Sequence, residues 1–152
     1  MLRVSGHSER TDVCRQRQAN DDSYLARAPL FVVADGMGGA QAGEVASLTA
    51  IQAFQAGLPD GSQEEAIERT IAVANRNIYD QAHSDASLSG MGTTITVATV
   101  DAEGERVVIG HVGDSRAYRL RDGIIQRLTK DHSLVEEMRR RGQITEEQAD
   151  LV

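Results

Sequence analysis

Leu30-Phe31-Val32-Val33-Ala34-Asp35-Gly36-Met37-Gly38-Gly39 sets an apolar run against an acid and then three glycines within four residues. The run Leu30 to Ala34 reads as a buried strand, and the glycines read as its sharp exit loop. Asp35 stands at that junction, where a rigid strand holds its carboxylate at the rim of the core. A half-buried carboxylate is costly unless a cation meets it. Taken alone, an Asp-Gly pair is an ordinary turn former, so the rest of the chain must decide between a turn and a site.

On either side of this stretch the pattern alternates between β and helical periods. Leu2 to Ser8 has a weak strand pattern, and Asp21 to Arg27 predicts a short strand after a polar turn. From Gly43 to Leu58 the period becomes helical, with Leu48, Ile51, Phe54 and Leu58 on one face. Ser62 and Glu65 form a capping box for a second helix, whose stripe is Ile67, Ile71, Ala74, Ile78 and Ala82. Strands are then predicted over Thr93–Val100, Arg106–Val112, Ala117–Leu120 and Ile124–Leu128. Asp101–Gly104 and Asp122-Gly123 supply the tight turns between them. Ser133 with Glu136, and Thr145 with Gln148, open two short helices. Strands gathered on both sides of a helical pair point to an α+β fold with antiparallel sheets and helices packed outside.

The chain has 152 residues, which predicts one domain with a single core. Only 3% of residues are aromatic, so the core must come from Ala, Val, Ile and Leu. A formal net charge of −7 argues against a nucleic-acid-binding face and suits a site that collects divalent cations. The one cysteine, Cys14, rules out an internal disulfide and a thiolate zinc site, and favours a reducing, cytoplasmic setting. Residues 1–10 carry no apolar core of signal-peptide length, and no stretch approaches the ~18–20 apolar residues of a membrane span.

Three polar clusters remote in sequence fall at the ends of β segments: Arg17-Gln18-Ala19-Asn20-Asp21-Asp22, Asp35-Gly36 and Gly113-Asp114-Ser115-Arg116. Carboxylates collected from separate strand ends make an all-oxygen site of the kind that Mg²⁺ or Mn²⁺ takes. The four histidines are scattered, with no helix-spaced pair, which argues against zinc.

These clusters sit inside a longer series of motifs. In order they are Thr11-Asp12-Val13, Arg17-x-x-Asn20-Asp21-Asp22-Ser23-Tyr24, Val33 to Gly39 with Gly43-Glu44-Val45-Ala46-Ser47, Gly90-Met91-Gly92-Thr93-Thr94, Val112 to Tyr118, and Leu128-Thr129-Lys130-Asp131-His132-Ser133. Together they resemble the bacterial PP2C-type (PPM) metal-dependent protein serine/threonine phosphatases. The resemblance runs from about Thr11 to Val152.

The resemblance implies an α/β/β/α sandwich of two antiparallel sheets flanked by the helices 43–58 and 62–84. It implies that Asp35 bridges two Mn²⁺ or Mg²⁺ ions and that the Gly36 carbonyl ligates one of them. Asp22 and Asp21 would hold metal-bound waters, and Asp114 would contribute to a third, weaker ion. Arg17 would grip the substrate phosphate with its guanidinium fork. Arg17, Asp22 and Asp35 would thus carry catalysis: hydrolysis of phosphoserine and phosphothreonine by a metal-activated water. Gly92 and Thr93 would support the strands beneath the site. The implied partners are phosphorylated proteins and a cognate Ser/Thr kinase, with no nucleic acid or membrane.

The sequence also departs from the family pattern. Two metal-binding aspartates of the family's C-terminal part, one in Ser-Asp-Gly and one in Asp-Asn, have no counterpart after Asp114. The expectation is a single PP2C-like domain over 1–152 that is C-terminally truncated, with unfinished sheet edges through which a homodimer could form. Ala40 stands where many members carry a histidine, Asp21 is one methylene shorter than the usual glutamate, and Cys14 replaces a glycine. The rival expectation is a weak or inactive phosphatase-like module that binds phosphoproteins or a kinase.

Overall fold

A computed structural model describes residues 1–13, 15, 19–39 and 41–149. It divides between His111 and Val112 into two compact units.

The first unit is built on strands β1 (Asp22–Arg27), β2 (Leu30–Met37), β3 (Gly92–Thr93), β4 (Ile95–Asp101) and β5 (Arg106–Val112). Their order is β1-β2-β4-β5, with β3 pairing on β2. β1 and β2 are antiparallel, joined through a cis Ala28–Pro29 bond, and β2 is antiparallel to β4. Along β2, Leu30, Val32, Ala34 and Gly36 are buried while Phe31, Val33, Asp35 and Met37 face the other way.

Helices α1 (Ala42–Phe54) and α2 (Gln63–Ser84) cover the buried face. Phe54 and Ile51 of α1 and Ile67 and Ala74 of α2 meet Leu30, Val32, Ala34, Ile95 and Val97 in one cluster. Small residues bring α1 close to the sheet. Ala46, Ser47 and Ala50 are buried, and the Ser47 hydroxyl shares a 2.8 Å hydrogen bond with the Ser23 hydroxyl on β1. Ser62 caps α2 by accepting the Glu65 N–H at 3.3 Å.

Five sequence expectations are corrected here. The strand at Leu30 does not end at Ala34 but runs to Met37. Thr94 extends it: its N–H donates to the Asp35 carbonyl at 2.9 Å, and its hydroxyl accepts the Asp35 N–H at 3.0 Å. Gly36 and Met37 then pair with Thr93 and Gly92. The segment expected as one strand over Thr93–Val100 is accordingly two, β3 and β4, with Thr94 between them. Leu48 is 46% exposed, because the sheet-facing stripe of α1 steps through Gly43, Ala46, Ser47, Ala50, Ile51 and Phe54. That helix ends at Phe54, before Gly57, and not at Leu58. Leu2–Ser8 forms no strand; its His7 ring lies edge-on to Phe31, centroids 5.5 Å apart.

The second unit holds an antiparallel hairpin, β6 (Tyr118–Arg121) and β7 (Ile124–Arg127), followed by α3 (Leu134–Arg140) and α4 (Glu146–Ala149). Asp122 and Gly123 turn the hairpin with φ of 51° and 75°, the doubly positive geometry of a two-residue turn matched to strand twist. Every residue of both strands is exposed. Thr145 and Gln148 satisfy each other's backbone N–H at 2.9 and 3.2 Å, the reciprocal box anticipated from the sequence. No described helix is long and apolar enough to cross a membrane.

Candidate functional site

The acids of the first unit converge because two adjacent strands end together. Asp22 opens β1 and lies in register with Asp35 on β2. Register partners on one sheet face have Cβ atoms about 4.5–5.5 Å apart, and like charges placed so are mutually destabilising. The pair therefore sits where a cation between the carboxylates would be stabilising.

The approach to β1 is fixed by short polar contacts. The Asn20 side-chain oxygen accepts the Asp22 N–H at 3.1 Å, and its amide donates to the Thr11 hydroxyl at 2.8 Å. The Asp21 carbonyl accepts the Gly36 N–H at 3.1 Å, which ties the residue before β1 to the exit of β2. Asp21 is thereby held under the first turn of α1. Its Oδ1 is buried and has no hydrogen-bond partner. A buried carboxylate oxygen without a donor is costly, by about 1–3 kcal/mol or more. A hard cation would relieve that cost, and the donor set is all oxygen, as Mg²⁺ and Mn²⁺ require. The residues thus fit a divalent metal ion.

The fit is incomplete on side chains alone. Among the described residues, no three His, Cys, Asp or Glu side chains converge into a group able to hold an ion. Asp22 and Asp35 are register partners at one end of the sheet, and the backbone of Gly36 is bonded there to that of Asp21.

Asp114 belongs to the second unit and is exposed. Its turn is braced by the His132 N–H, which donates to the Gly113 carbonyl at 2.8 Å. Two residues beyond Asp114, the Arg116 guanidinium forks onto Asp131, Nε to Oδ1 at 3.0 Å and Nη2 to Oδ2 at 2.7 Å. Hydrogen bonding to that carboxylate raises the Arg116 pKa further above its ordinary value. Arg17, the expected phosphate grip, lies outside the described residues, as do Cys14 and Ala40.

Sequence reasoning assigned no role to three residues that brace the predicted site residues or their neighbours, two in the first unit and one in the second. Asn20 and Thr94 position Asp22 and Asp35, and Asp131 anchors Arg116. All three fall inside the quoted motifs, so the signal was present without its geometry.

Comparison with known proteins bears on the same residues. The pattern of the family described as protein phosphatase 2C matches residues 11–147. The chain is 41% identical to the serine/threonine phosphatase stp of Listeria innocua, over 94% of this chain and 61% of that protein. It is 38% identical to the serine/threonine protein phosphatase PstP of Mycobacterium tuberculosis, over 98% of this chain and 29% of that one. Among solved structures, the M. tuberculosis phosphatase PstP/Ppp superposes with a TM-score of 0.83 at 38% identity, covering 94% of this chain and 61% of that one. The PstP catalytic domain in complex with two manganese ions superposes with a TM-score of 0.80 at 39% identity, covering 92% and 61%. The chain thus spans about three fifths of the length of the stp relative and of these solved chains.

Proposed function

We propose a function from one premise: the chain belongs to the protein phosphatase 2C family. The reading is hydrolysis of phosphoserine and phosphothreonine in proteins, dependent on Mn²⁺ or Mg²⁺, at the strand ends that carry Asp22 and Asp35. The observation that carries it is the register pair Asp22–Asp35 beside the buried, unpartnered Asp21 Oδ1. The manganese ions held by the related PstP catalytic domain support the choice of metal.

In this reading Asp35 and the Gly36 carbonyl would hold the cations, and Asp22 and Asp21 would hold waters of their hydration shell. When bound, the cations supply Lewis-acid polarisation of the phosphoryl group and acidify water enough for attack at neutral pH. Asp35 is kept in place by Thr94, which engages both its N–H and its carbonyl. Arg17 forks the substrate phosphate, orienting it and offsetting charge on its oxygens. The carboxylates alone would repel a phosphate dianion, a repulsion that bound cations would offset. Substrate is supplied by a Ser/Thr kinase, and the phosphoprotein provides the surface that is recognised.

The test is phosphate release from a phosphothreonine peptide with Mn²⁺, for the chain and for Asp35→Asn. Chelation should abolish release, and D35N should lower it on the order of 10²–10³-fold, the scale on which loss of one charge-stabilising group is felt. Turnover that survives D35N would place the chemistry elsewhere. The absence of a closed three-acid group among the described residues favours one second reading, a phosphoprotein-binding module of low activity. Mn²⁺ and phosphopeptide binding without turnover would select it.

A further inference from the structure

Where β2 leaves the sheet and α1 begins, two glycines meet backbone to backbone. A Cβ on Gly36 would overlap the Gly43 carbonyl and come within 2.7 Å of the Asp21 carbonyl oxygen. A Cβ on Gly43 would come to 2.9 Å from the Asp21 Cγ, 3.1 Å from its Oδ2 and 3.1 Å from the Gly36 carbonyl carbon. Gly43 is buried and helical, so no backbone conformation demands glycine there. What a side chain at 43 would meet is the Asp21 carboxyl group, whose other oxygen is buried without a partner.

We propose that Gly43 is a positioning residue for the metal centre: its missing side chain leaves the space that fixes the Asp21 carboxylate toward the ions. The backbone of Asp21 cannot retreat from an intruding methyl group. Its backbone carbonyl is bonded to the Gly36 N–H, so the carboxyl must rotate or shift by tenths of an ångström. A carboxylate that holds a water of the metal ion acts on affinity through geometry, and disturbing such outer ligands typically lowers metal affinity about 10–100-fold. The inference rests on the metal-dependent reading above and adds a residue that touches neither ion nor substrate.

The test is a double-mutant cycle on Mn²⁺ affinity by calorimetric titration, using the wild-type chain, Gly43→Ala, Asp21→Ala and the double variant, with metal-free thermal unfolding in parallel. G43A should bind Mn²⁺ at least about tenfold more weakly, and the double variant should bind as D21A does, because the methyl group then meets no carboxyl. Unfolding supplies the second arm. If G43A lowers the metal-free transition, D21A should restore it in the double variant. G43A affinity within about twofold of wild type, or losses that multiply across the cycle, would overturn the proposal. So would a G43A folding defect that D21A does not rescue. A wild-type chain that takes up no Mn²⁺ would overturn the metal-dependent reading and this inference with it; the other failures leave that reading standing.

Discussion

Acids reach strand ends in both units, but by different means. In the first, Asp21, Asp22 and Asp35 stand on backbone wedged against α1, with Phe54, Val32 and Val97 fully buried beneath. In the second, Asp114 sits on a turn braced by a His132 backbone bond and an Arg116–Asp131 fork, next to a hairpin whose strand residues are all exposed. A packed core fixes side-chain direction through many contacts that cannot be given up singly. An exposed ion pair fixes it through a few that water and salt compete for. The first cluster is thus built to hold charge at fixed geometry, and the second is built to tolerate movement.

The sharpest way to break this contrast is to cut the core in one unit and the equivalent apolar bulk in the other. Phe54→Ala should cost about 3–5 kcal/mol in urea unfolding, since its side chain is fully buried. Leu120→Ala, at a side chain 72% exposed, should stay within about 0.5 kcal/mol. Comparable losses would mean that the hairpin is covered by contacts as strong as those of the core, and the contrast would fail.

The next effect in size isolates the close backbone approach within the first unit. Gly36→Ala forces a methyl group onto the Gly43 and Asp21 carbonyls, and overpacking of that kind costs about 1–3 kcal/mol. Gly39→Ala, three residues on, meets no atom within 4 Å and should change stability by less than about 0.5 kcal/mol. Equal behaviour of the two variants by chemical denaturation would show that the strand exit is looser than the packing implies.

What the sequence revealed follows the same division between local and non-local causes. β2 was legible as a strand because Leu30 to Ala34 is an unbroken apolar run; which face it buries was not, because the outward Phe31 and Val33 are as apolar as the inward residues. The hairpin turn was legible because Asp-Gly is the local solution to its geometry. The continuation of β2 through Asp35 was not, because Thr94, 59 residues away, makes the bonds that extend it. Leu48 was misplaced for a related reason. Its helical spacing with Ile51, Phe54 and Leu58 put it on the core face, whereas the residues buried along that stretch of α1 are the small Gly43, Ala46, Ser47 and Ala50. The acids themselves were readable as a set only through their motifs. Neither the Asp22–Asp35 register nor the glycine contact over Asp21 leaves a periodic trace in the chain.

In the second unit the fork can be loosened without touching any apolar contact. Arg116→Lys keeps the charge and removes the paired geometry toward Asp131. The expected readout is local: faster amide exchange at His132, whose N–H donates to Gly113, with the exchange of β2 and α1 unchanged. Faster exchange spread through β2 and α1 would mean that the fork supports the whole chain, and the contrast between core-held and pair-held acids would lose its basis.

The smallest effect tests whether surface electrostatics in the first unit behaves as it does in the second. Asp101 turns the chain from β4 to β5 by accepting the Gly104 N–H at 2.9 Å and the Arg106 Nε at 3.0 Å. The backbone donor first, then Arg106, holds its carboxyl below the ordinary carboxylate range. In the unfolded chain those donors are gone and the pKa returns to about 3.9. A group whose folded pKa is depressed stabilises the fold above the unfolded value and loses that stabilisation as pH falls through the folded value. The thermal stability gap between wild type and Asp101→Asn should therefore be flat from pH 7 to about pH 5 and close below about pH 4. A gap that stays constant down to about pH 2 would locate the stabilisation in the shape of the turn and not in the charge of its carboxylate. Such turn would then be held, like the acids of β1 and β2, by packing that pH cannot reach.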